Sequence, residues 1–482
     1  MSEIKQKTIS GLFWSLIDVF SSQGTLFIVG IILARLLSPF DFGLIGTIAV
    51  LIAISDSIVN SGFSNALIRK VNCNDDDYTT VFYFNILISV FLYILLYFSA
   101  PIIAIYFKQT QLTDIVRVLS LVIIIDAFSL IQRTVLIKQI DFKSQTKVSI
   151  ISSIASGLIS IVLALNGFGV WSLVWQRIFS RLISLILLWS GKRWFPNGTF
   201  NVISFKGLFG FGSRLLLSGL IDTVYNNIYL ILIGKYFSVE TLGFFSKSQE
   251  FSNIPSQGIG GIINRVAYPV LSSFQDDKIR LKEYYRRLIR SSMFVTSLVM
   301  VCLAASSESV ILTLIGIKWI NSISYLQLLC FVGILYPLHL LNLSILQVQG
   351  RSDLYLKLEV IKKILGIPLI ILGVIFGVKV MIIGMLISSI LSYFLNSYWS
   401  GNFIDYGIKD QLKDIIPSLL WSFLIGLLVF FIGEIIYFPP YVELLIQIFI
   451  GLVSSILLFE LIKLDEYIFM KHLLIAQLGQ NQ

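Results

Sequence analysis

Runs of about 20 mostly apolar residues recur along the whole chain, and this repetition limits the possible folds more than any other feature. An apolar helix of that length crosses the ~30 Å hydrocarbon core of a bilayer. We place the runs near residues 11–34, 43–66, 80–107, 113–132, 146–166, 169–189, 207–233, 241–270, 288–306, 321–348, 354–376, 379–403, 412–436 and 443–463. Only 13% of residues are charged, against roughly 25% in soluble domains. The sequence therefore predicts an all-α polytopic membrane protein with about fourteen transmembrane helices; twelve spans with two re-entrant segments are the alternative.

Lysine and arginine are unevenly divided between the two sets of loops. With the N-terminus inside, about 25 of them fall in cytoplasmic loops and about 6 in the opposite loops. The positive-inside rule then predicts that both termini are cytoplasmic, which requires an even number of spans. The net charge of +9 therefore reflects orientation. Nucleic-acid binding is not indicated, because no basic stripe is interleaved with aromatic residues.

Soluble catalytic or nucleotide-binding domains are not indicated by the sequence. We expect no loop longer than about 20 residues and find no Walker A motif, so neither an enzyme nor an ATP-driven pump is favoured. Three cysteines are too few for a disulfide framework. We expect no cofactor and no metal site. We expect the acidic run 75–77 to be a solvated loop, and His339 to be a packed or pore-facing residue.

The chain also resembles itself at a spacing of about 200 residues. ILARLLSPFDFGLIG at 32–46 aligns with LIGKYFSVETLGFFS at 232–246, and FGV at 168–170 aligns with FGV at 376–378. Six helices separate the two copies, so both halves have the same orientation, as in transporters built from parallel repeats. We predict an N-terminal six-helix lobe (1–200), a C-terminal six-helix lobe (201–405) and two additional helices with a cytoplasmic tail (406–482). Substrate is expected between the lobes.

Ionisable residues inside apolar helices are the candidate functional residues, because a charge at the bilayer centre costs at least ~2.5–3.5 kcal/mol. Such residues are expected to line a cavity, to pair or to bind a ligand. The candidate substrate-binding residues are Arg177, Arg181, Arg214, Lys247 and Arg265. The candidate ion- or proton-coupling residues are Asp18, Asp56 and Asp222. Asp126 and Glu250 are further acids within the runs.

The basic candidates suit an anionic substrate, because arginine holds phosphate oxygens with two N–H groups and stays charged. Arg177 and Arg181 are four residues apart and share one helix face. The alternative is structural pairing, for example of Lys247 with Glu250. Arg214 and Arg265 could also extend to the cytoplasmic interface.

Five segments, taken in order, resemble the bacterial polysaccharide flippases of the Wzx type. They are SGLFWSLIDVFSSQGTLFIVGIILARLLSPFDFGLIG at 10–46, GFSNALIRK at 62–70, NGFGVWSL at 166–173, GIKWINSISYLQLL at 316–329 and QVQGRSDLYLKLEVIKKIL at 347–365. The branch of colanic acid and teichuronic acid exporters is the most similar. Phe40 stands where the family often has an acidic residue. Functional basic residues differ among branches, so the candidate residues come from the intramembrane charges and not from the resemblance.

The resemblance implies the MOP exporter superfamily and alternating access in a bacterial cytoplasmic membrane. The implied substrate is an undecaprenyl-diphosphate-linked oligosaccharide, flipped to the outer leaflet for O-antigen, capsule or exopolysaccharide synthesis. There a polymerase and a ligase use it. A cation-coupled drug exporter of the same superfamily is the alternative function. A cavity for cationic drugs would be rich in acids, whereas here bases match acids in number.

Overall fold

The structure, a computed structural model, describes residues 2–60, 62–70, 72–191, 194–435, 438–468 and 471. Every regular element in these ranges is a helix. The first ten are α1 (Ser2–Leu36), α2 (Pro39–Asn60), α3 (Phe63–Arg69), α4 (Asp75–Phe107), α5 (Leu112–Leu119), α6 (Leu121–Lys138), α7 (Phe142–Leu165), α8 (Val170–Ser190), α9 (Val202–Asn226) and α10 (Ile228–Tyr236). The others are α11 (Val239–Ser273), α12 (Lys278–Ala305), α13 (Ser307–Leu314), α14 (Ser322–Ile334), α15 (Tyr336–Val348), α16 (Ser352–Phe376), α17 (Val378–Ile404), α18 (Ile408–Ile435) and α19 (Pro440–Ile462), with a 3₁₀ turn at Ile317–Trp319.

Each of the predicted apolar runs overlaps one helix or two consecutive helices. The run 321–348, for example, is divided into α14 and α15, where Pro337 occupies the first turn of α15 and supplies no backbone N–H to the preceding turn. Within the described ranges, nine helices are long and apolar enough to cross a membrane. The prediction of an all-α, multi-pass membrane protein is therefore confirmed, and the count of fourteen spans stays a prediction.

Helix boundaries recur at the spacing of the predicted repeat. α1 ends at Leu36 and α2 begins at Pro39, while α10 ends at Tyr236 and α11 begins at Val239. The second sequence match behaves in the same way: its glycines precede α8 and α17 and have positive φ angles of 54° and 111°, where glycine avoids the strain of a side chain. The internal repeat is therefore visible both in the amino-acid sequence and in the positions at which helices begin.

In the first of the two sequence matches, a serine stands directly before the helix start in each copy: Ser38 before α2 and Ser238 before α11. The Ser38 hydroxyl accepts a hydrogen bond from the Asp41 backbone N–H at 3.3 Å, and the Asp41 carboxylate accepts one from the Ser38 backbone N–H at 2.9 Å. The Ser238 hydroxyl likewise accepts a hydrogen bond from the Thr241 backbone N–H at 3.0 Å. These bonds satisfy backbone donors that have no partner within a helix, which fixes where each helix begins.

The chain divides into two compact units, Met1–Gly243 and Phe244–Gln482. In the first, here called unit 1, α7 packs along both α1 and α8, and α6 packs against α4 and α8. Its core joins buried aliphatic side chains, including Leu33, Leu44, Ile48, Ile123 and Val174. The predicted lobe boundaries at 200 and 405 stay a prediction.

The second unit, here called unit 2, is organised around α12. That helix packs along α18 and α14, while α16 packs along α17 and α19 contacts α13 and α18. Phe294, Ile425, Val429 and Phe459 form one of its buried clusters. The last two helices are therefore integrated into unit 2 by apolar packing.

Large apolar side chains remain exposed along many helices. Ile105 on α4 is 77% exposed, and Leu461 on α19 is 79% exposed. Apolar surface on this scale is unusual for a soluble monomer. It is expected where lipid covers the helix faces.

The acidic run before α4 departs from the sequence-based expectation of a solvated loop. Residues 75–77 form the first turn of α4, and Asp77 and Asn74 cap that helix reciprocally. The Asp77 side chain is fully buried and receives a hydrogen bond from Lys70 Nζ at 2.6 Å. The Asp76 carboxylate accepts a hydrogen bond from the Thr199 backbone N–H at 2.9 Å. The expectation was wrong because carboxylates are stabilised at a helix N-terminus.

Candidate functional site

Asp126 of α6 lies between two arginines inside unit 1. Its Oδ2 atom is 3.4 Å from Arg181 Nε, and its Oδ1 atom is 3.6 Å from Arg133 Nη2. The Asp126 side chain is 4% exposed, whereas Arg181 and Arg133 are 40% and 30% exposed. The carboxylate is therefore buried, whereas the side chains of the two arginines that pair with it are partly exposed.

Helix geometry accounts for this arrangement. Asp126 and Arg133 are two turns apart on α6 and so lie on the same face. Arg181 comes from α8, which packs directly against α6. Arg133 also donates a hydrogen bond from Nη2 to the Ser184 hydroxyl, one turn further along α8, at 3.3 Å. The packing of α6 on α8 thus brings the three charged side chains together.

Asp56 of α2 and Arg177 of α8 extend this group of charges. Asp56 interacts electrostatically with Asp126 and with all three arginines, Arg133, Arg177 and Arg181. We call these five residues the arginine cluster. With three arginines and two carboxylates, its formal charge is +1.

The carboxylates of the arginine cluster are incompletely hydrogen-bonded. The buried Oδ1 atoms of Asp56 and Asp126 have no hydrogen-bond partner among the described residues. A buried polar atom without a partner is rare in folded proteins. The cluster therefore has unused hydrogen-bonding capacity around a surplus of positive charge, which suits an anionic ligand.

Three of the predicted candidates, Arg177, Arg181 and Asp56, come together in the arginine cluster. Arg133 is a member that the sequence-based reasoning missed, because its place near the end of an apolar run assigned it to the cytoplasmic loops. Its two-turn spacing from Asp126 was the signal that could have identified it.

The other candidates in unit 1 lie elsewhere. Asp18 is half-buried in α1, and its Oδ1 atom is buried without a hydrogen-bond partner in the described part of the chain. Asp222 is exposed on α9. Arg214 also belongs to α9, but its side chain lies outside the described residues.

Unit 2 contains two further candidates, both on α11. Lys247 is 2% exposed, and its Nζ atom donates a hydrogen bond to Glu250 Oε2 at 2.8 Å. The predicted pairing of these two residues is confirmed. The side chain of Arg265 lies outside the described residues.

His339 of α15 takes part in helix packing. Its Nε2 atom is 2.8 Å from the Ser389 hydroxyl of α17. Among the described residues, no group of three or more histidine, cysteine, aspartate or glutamate side chains could hold a metal ion. His339 is therefore a hydrogen-bonded residue between two helices of unit 2.

A family model described as "Polysaccharide biosynthesis protein" matches residues 32–324. The chain is 29% identical over 300 residues to the teichuronic acid biosynthesis protein TuaB of Bacillus subtilis, and the match covers 62% of each chain. It is 24% identical over 446 residues to the lipopolysaccharide biosynthesis protein WzxC of Escherichia coli, covering 88% of each chain. The chain thus spans under two thirds of the length of TuaB and most of WzxC.

The fold is also similar to a solved structure, that of the lipid II flippase MurJ in its inward closed conformation. The TM-score is 0.74, and the match covers 94% of this chain and 100% of the other. Sequence identity over the match is 16%. This likeness establishes the fold.

Proposed function

The chain belongs to the polysaccharide biosynthesis protein family, and on that basis we propose that it is a flippase for undecaprenyl-diphosphate-linked oligosaccharides. It would move them from the cytoplasmic to the outer leaflet of a bacterial cytoplasmic membrane by alternating access. The names of TuaB and WzxC connect these relatives to teichuronic acid and lipopolysaccharide synthesis, which supports a lipid-linked saccharide as substrate. The fold shared with a lipid II flippase supports transport rather than catalysis.

The observation that carries this proposal is the arginine cluster. Its Arg133 and Arg181 side chains are partly exposed and belong to α6 and α8, which consist mostly of apolar residues. Arginine binds diphosphate oxygens through two parallel N–H groups and keeps its charge at any physiological pH. Placing such residues in a membrane helix is expensive unless they serve a ligand or a pathway.

The position of the cluster fits loading from the cytoplasmic side. Arg133 lies in the last two turns of α6, and Asp56 lies near the end of α2. Both helices run toward the cytoplasm if both termini are cytoplasmic, as the loop charges favour. The cluster would then receive the diphosphate while the polyprenyl tail remains in lipid.

We assign the remaining candidates as follows. Arg214 and Arg265 would contact the diphosphate or acidic sugars at other stages of the cycle, and Lys247 would do so where its pair with Glu250 opens. Asp18, Asp56 and Asp222 would carry a coupling proton or sodium ion. The polymerase and ligase that use the flipped saccharide would be functional partners, and no nucleic acid is involved.

A flipping assay tests the proposal. Purified protein would be reconstituted in liposomes with undecaprenyl-diphosphate oligosaccharide, and the exposure of sugar to a membrane-impermeant probe would be followed with and without a pH or sodium gradient. We expect protein-dependent exposure that falls at least tenfold in an Arg177→Ala, Arg181→Ala double variant. Arg280→Ala, a change at an exposed residue of unit 2 that pairs with Asp277, is the matched control and should retain full activity.

Two outcomes would overturn the proposal. The first is no acceleration under any gradient by correctly folded wild-type protein; uptake of a cationic drug in the same vesicles would then favour the drug exporter. The second is unchanged flipping in the double arginine variant, which would remove the role given to the cluster.

A further inference from the structure

The ion pairs of the arginine cluster are looser than two charge pairs of unit 2. Arg286 Nε lies 2.5 Å from Asp414 Oδ2, and Arg290 Nη2 lies 3.0 Å from Asp465 Oδ2, both in unit 2. The two nitrogen–oxygen distances at Asp126 are 3.4 and 3.6 Å. Charge-assisted hydrogen bonds normally close at ≈ 2.7–2.9 Å.

This looseness leaves the arginine donors available. Asp126 Oδ1 accepts no hydrogen bond from any described residue, so the N–H groups of Arg181 and Arg133 are not saturated by this carboxylate. The Arg181 and Arg133 side chains, at 40% and 30% exposed, are also more accessible than Asp126, at 4%. An approaching anion would therefore meet the arginines first, with Asp126 behind them.

The negative charge of Asp126 nevertheless affects any anion that the arginines bind. Uncompensated positive charge within the membrane is unfavourable, so Asp126 and Asp56 make the cluster tolerable when no substrate is present. The same two carboxylates repel a phosphate held by the arginines. A transporter needs this compromise, because a site must bind well enough to load and weakly enough to release.

We propose that Asp126 is a counter-charge that sets the affinity of the arginine cluster for a diphosphate headgroup and keeps it low enough for release. The inference rests on the proposed function and adds the residue that regulates the site. Asp126 is a positioning and affinity-setting residue and does not itself contact the substrate.

The test is a binding measurement with undecaprenyl diphosphate in lipid nanodiscs, with uncharged undecaprenol as the reference ligand. Asp126→Asn keeps the side-chain shape and removes the charge. We expect it to bind undecaprenyl diphosphate about tenfold more tightly than wild type, because one nearby repulsive charge is lost, and to release it more slowly in the flipping assay. Binding of undecaprenol should not change.

Three variants serve as controls. Asp126→Glu retains the charge and should bind like wild type, whereas Arg181→Gln should bind at least tenfold more weakly. Asp56→Asn removes the other carboxylate of the cluster and should tighten binding in the same direction. It keeps the inference testable if Asp126→Asn does not fold.

The outcomes separate this inference from the proposed function. Weaker or unchanged binding in the two asparagine variants, with wild type and Arg181→Gln behaving as expected, would overturn the counter-charge role alone; Asp126 would then hold the arginines in place. No preference of wild type for undecaprenyl diphosphate over undecaprenol would overturn the proposed function and this inference together.

Discussion

Gly43 of α2 and Gly243 of α11 occupy equivalent positions in the internal repeat, and each packs against the first residue of the other helix. A Cβ atom on Gly43 would lie 1.8 Å from the carbonyl oxygen of Val239, and one on Gly243 would lie 1.9 Å from that of Pro39. Both distances are far below van der Waals contact. The first turns of α2 and α11 therefore approach each other through glycine backbone on both sides, which is how small residues allow membrane helices to pack closely.

Gly43→Ala should force these two helix starts apart. We expect a loss of thermal stability of about 1–3 kcal/mol, the usual penalty for overfilling a packed contact, together with slower flipping. Gly24→Ala in α1 is the control, since a Cβ there would meet nothing within 4 Å. Unfolding in detergent, followed by circular dichroism, is the measurement. Equal melting temperatures for the two variants would contradict the close contact.

The sequence predicted the helices and the repeat because both depend on local patterns. Apolar runs fix where helices lie, and Ser38 and Ser238 mark repeated helix starts. The partners of Asp126 could not be predicted in the same way. Periodicity shows that Arg133 shares its helix face, but only the packing of α6 on α8 brings Arg181 to it.

Hydropathy also could not predict the partners and burial of side chains near helix ends. Arg133 was counted with the cytoplasmic loops because it stands near the end of an apolar run, yet it points to a carboxylate that is 4% exposed. Asp77 was expected in solvent and is buried as a helix cap. In both cases a partner distant in sequence, or the helix terminus itself, decides the environment.

Arg133→Gln should impair flipping as strongly as Arg181→Gln, at least tenfold, although only Arg181 was identified from the sequence. Because both arginines share Asp126, the double variant should lose less than the product of the two single losses. The flipping assay on all three variants measures this, with Arg280→Gln as the surface control. Wild-type flipping in Arg133→Gln would exclude Arg133 from the site.

Arg286 should stabilise unit 2 by holding α12 to α18. Its Nε and Nη2 atoms donate hydrogen bonds to both oxygens of Asp414, at 2.5 and 2.6 Å, and the Tyr406 hydroxyl donates to the same carboxylate at 2.7 Å. Burial raises the pKa of Tyr406, and the hydrogen bond to Asp414 raises that pKa further, so the phenol remains a donor throughout the physiological range.

Arg286→Gln would leave Asp414, which is 8% exposed, with the tyrosine alone. We expect a loss of about 1–2 kcal/mol, discounted because Arg286 is half exposed. Arg280→Gln, whose partner Asp277 is also exposed, should change stability by less than about 0.5 kcal/mol. Equal stability of both variants would show that the bidentate pair does not hold the two helices together.

Gln411 should connect α18 to the other helices of unit 2. It is fully buried on α18. Its Oε1 atom accepts a hydrogen bond from the Ser397 hydroxyl at 2.9 Å, and its Nε2 atom donates to the Tyr406 carbonyl at 3.2 Å and to Asn342 Oδ1 at 3.4 Å. These partners come from α15, α17 and the segment before α18.

Gln411→Leu would keep the volume and leave several buried polar atoms without partners. Each such atom costs about 1–3 kcal/mol, so we expect a lower melting temperature and a loosened α18. Lys409→Leu, an exposed change two residues away on the same helix, is the matched control. Hydrogen exchange along α18 is the measurement. Faster exchange only in the Gln411 variant would support the role of this network, whereas equal exchange in both variants would mean that apolar packing alone holds α18 in place.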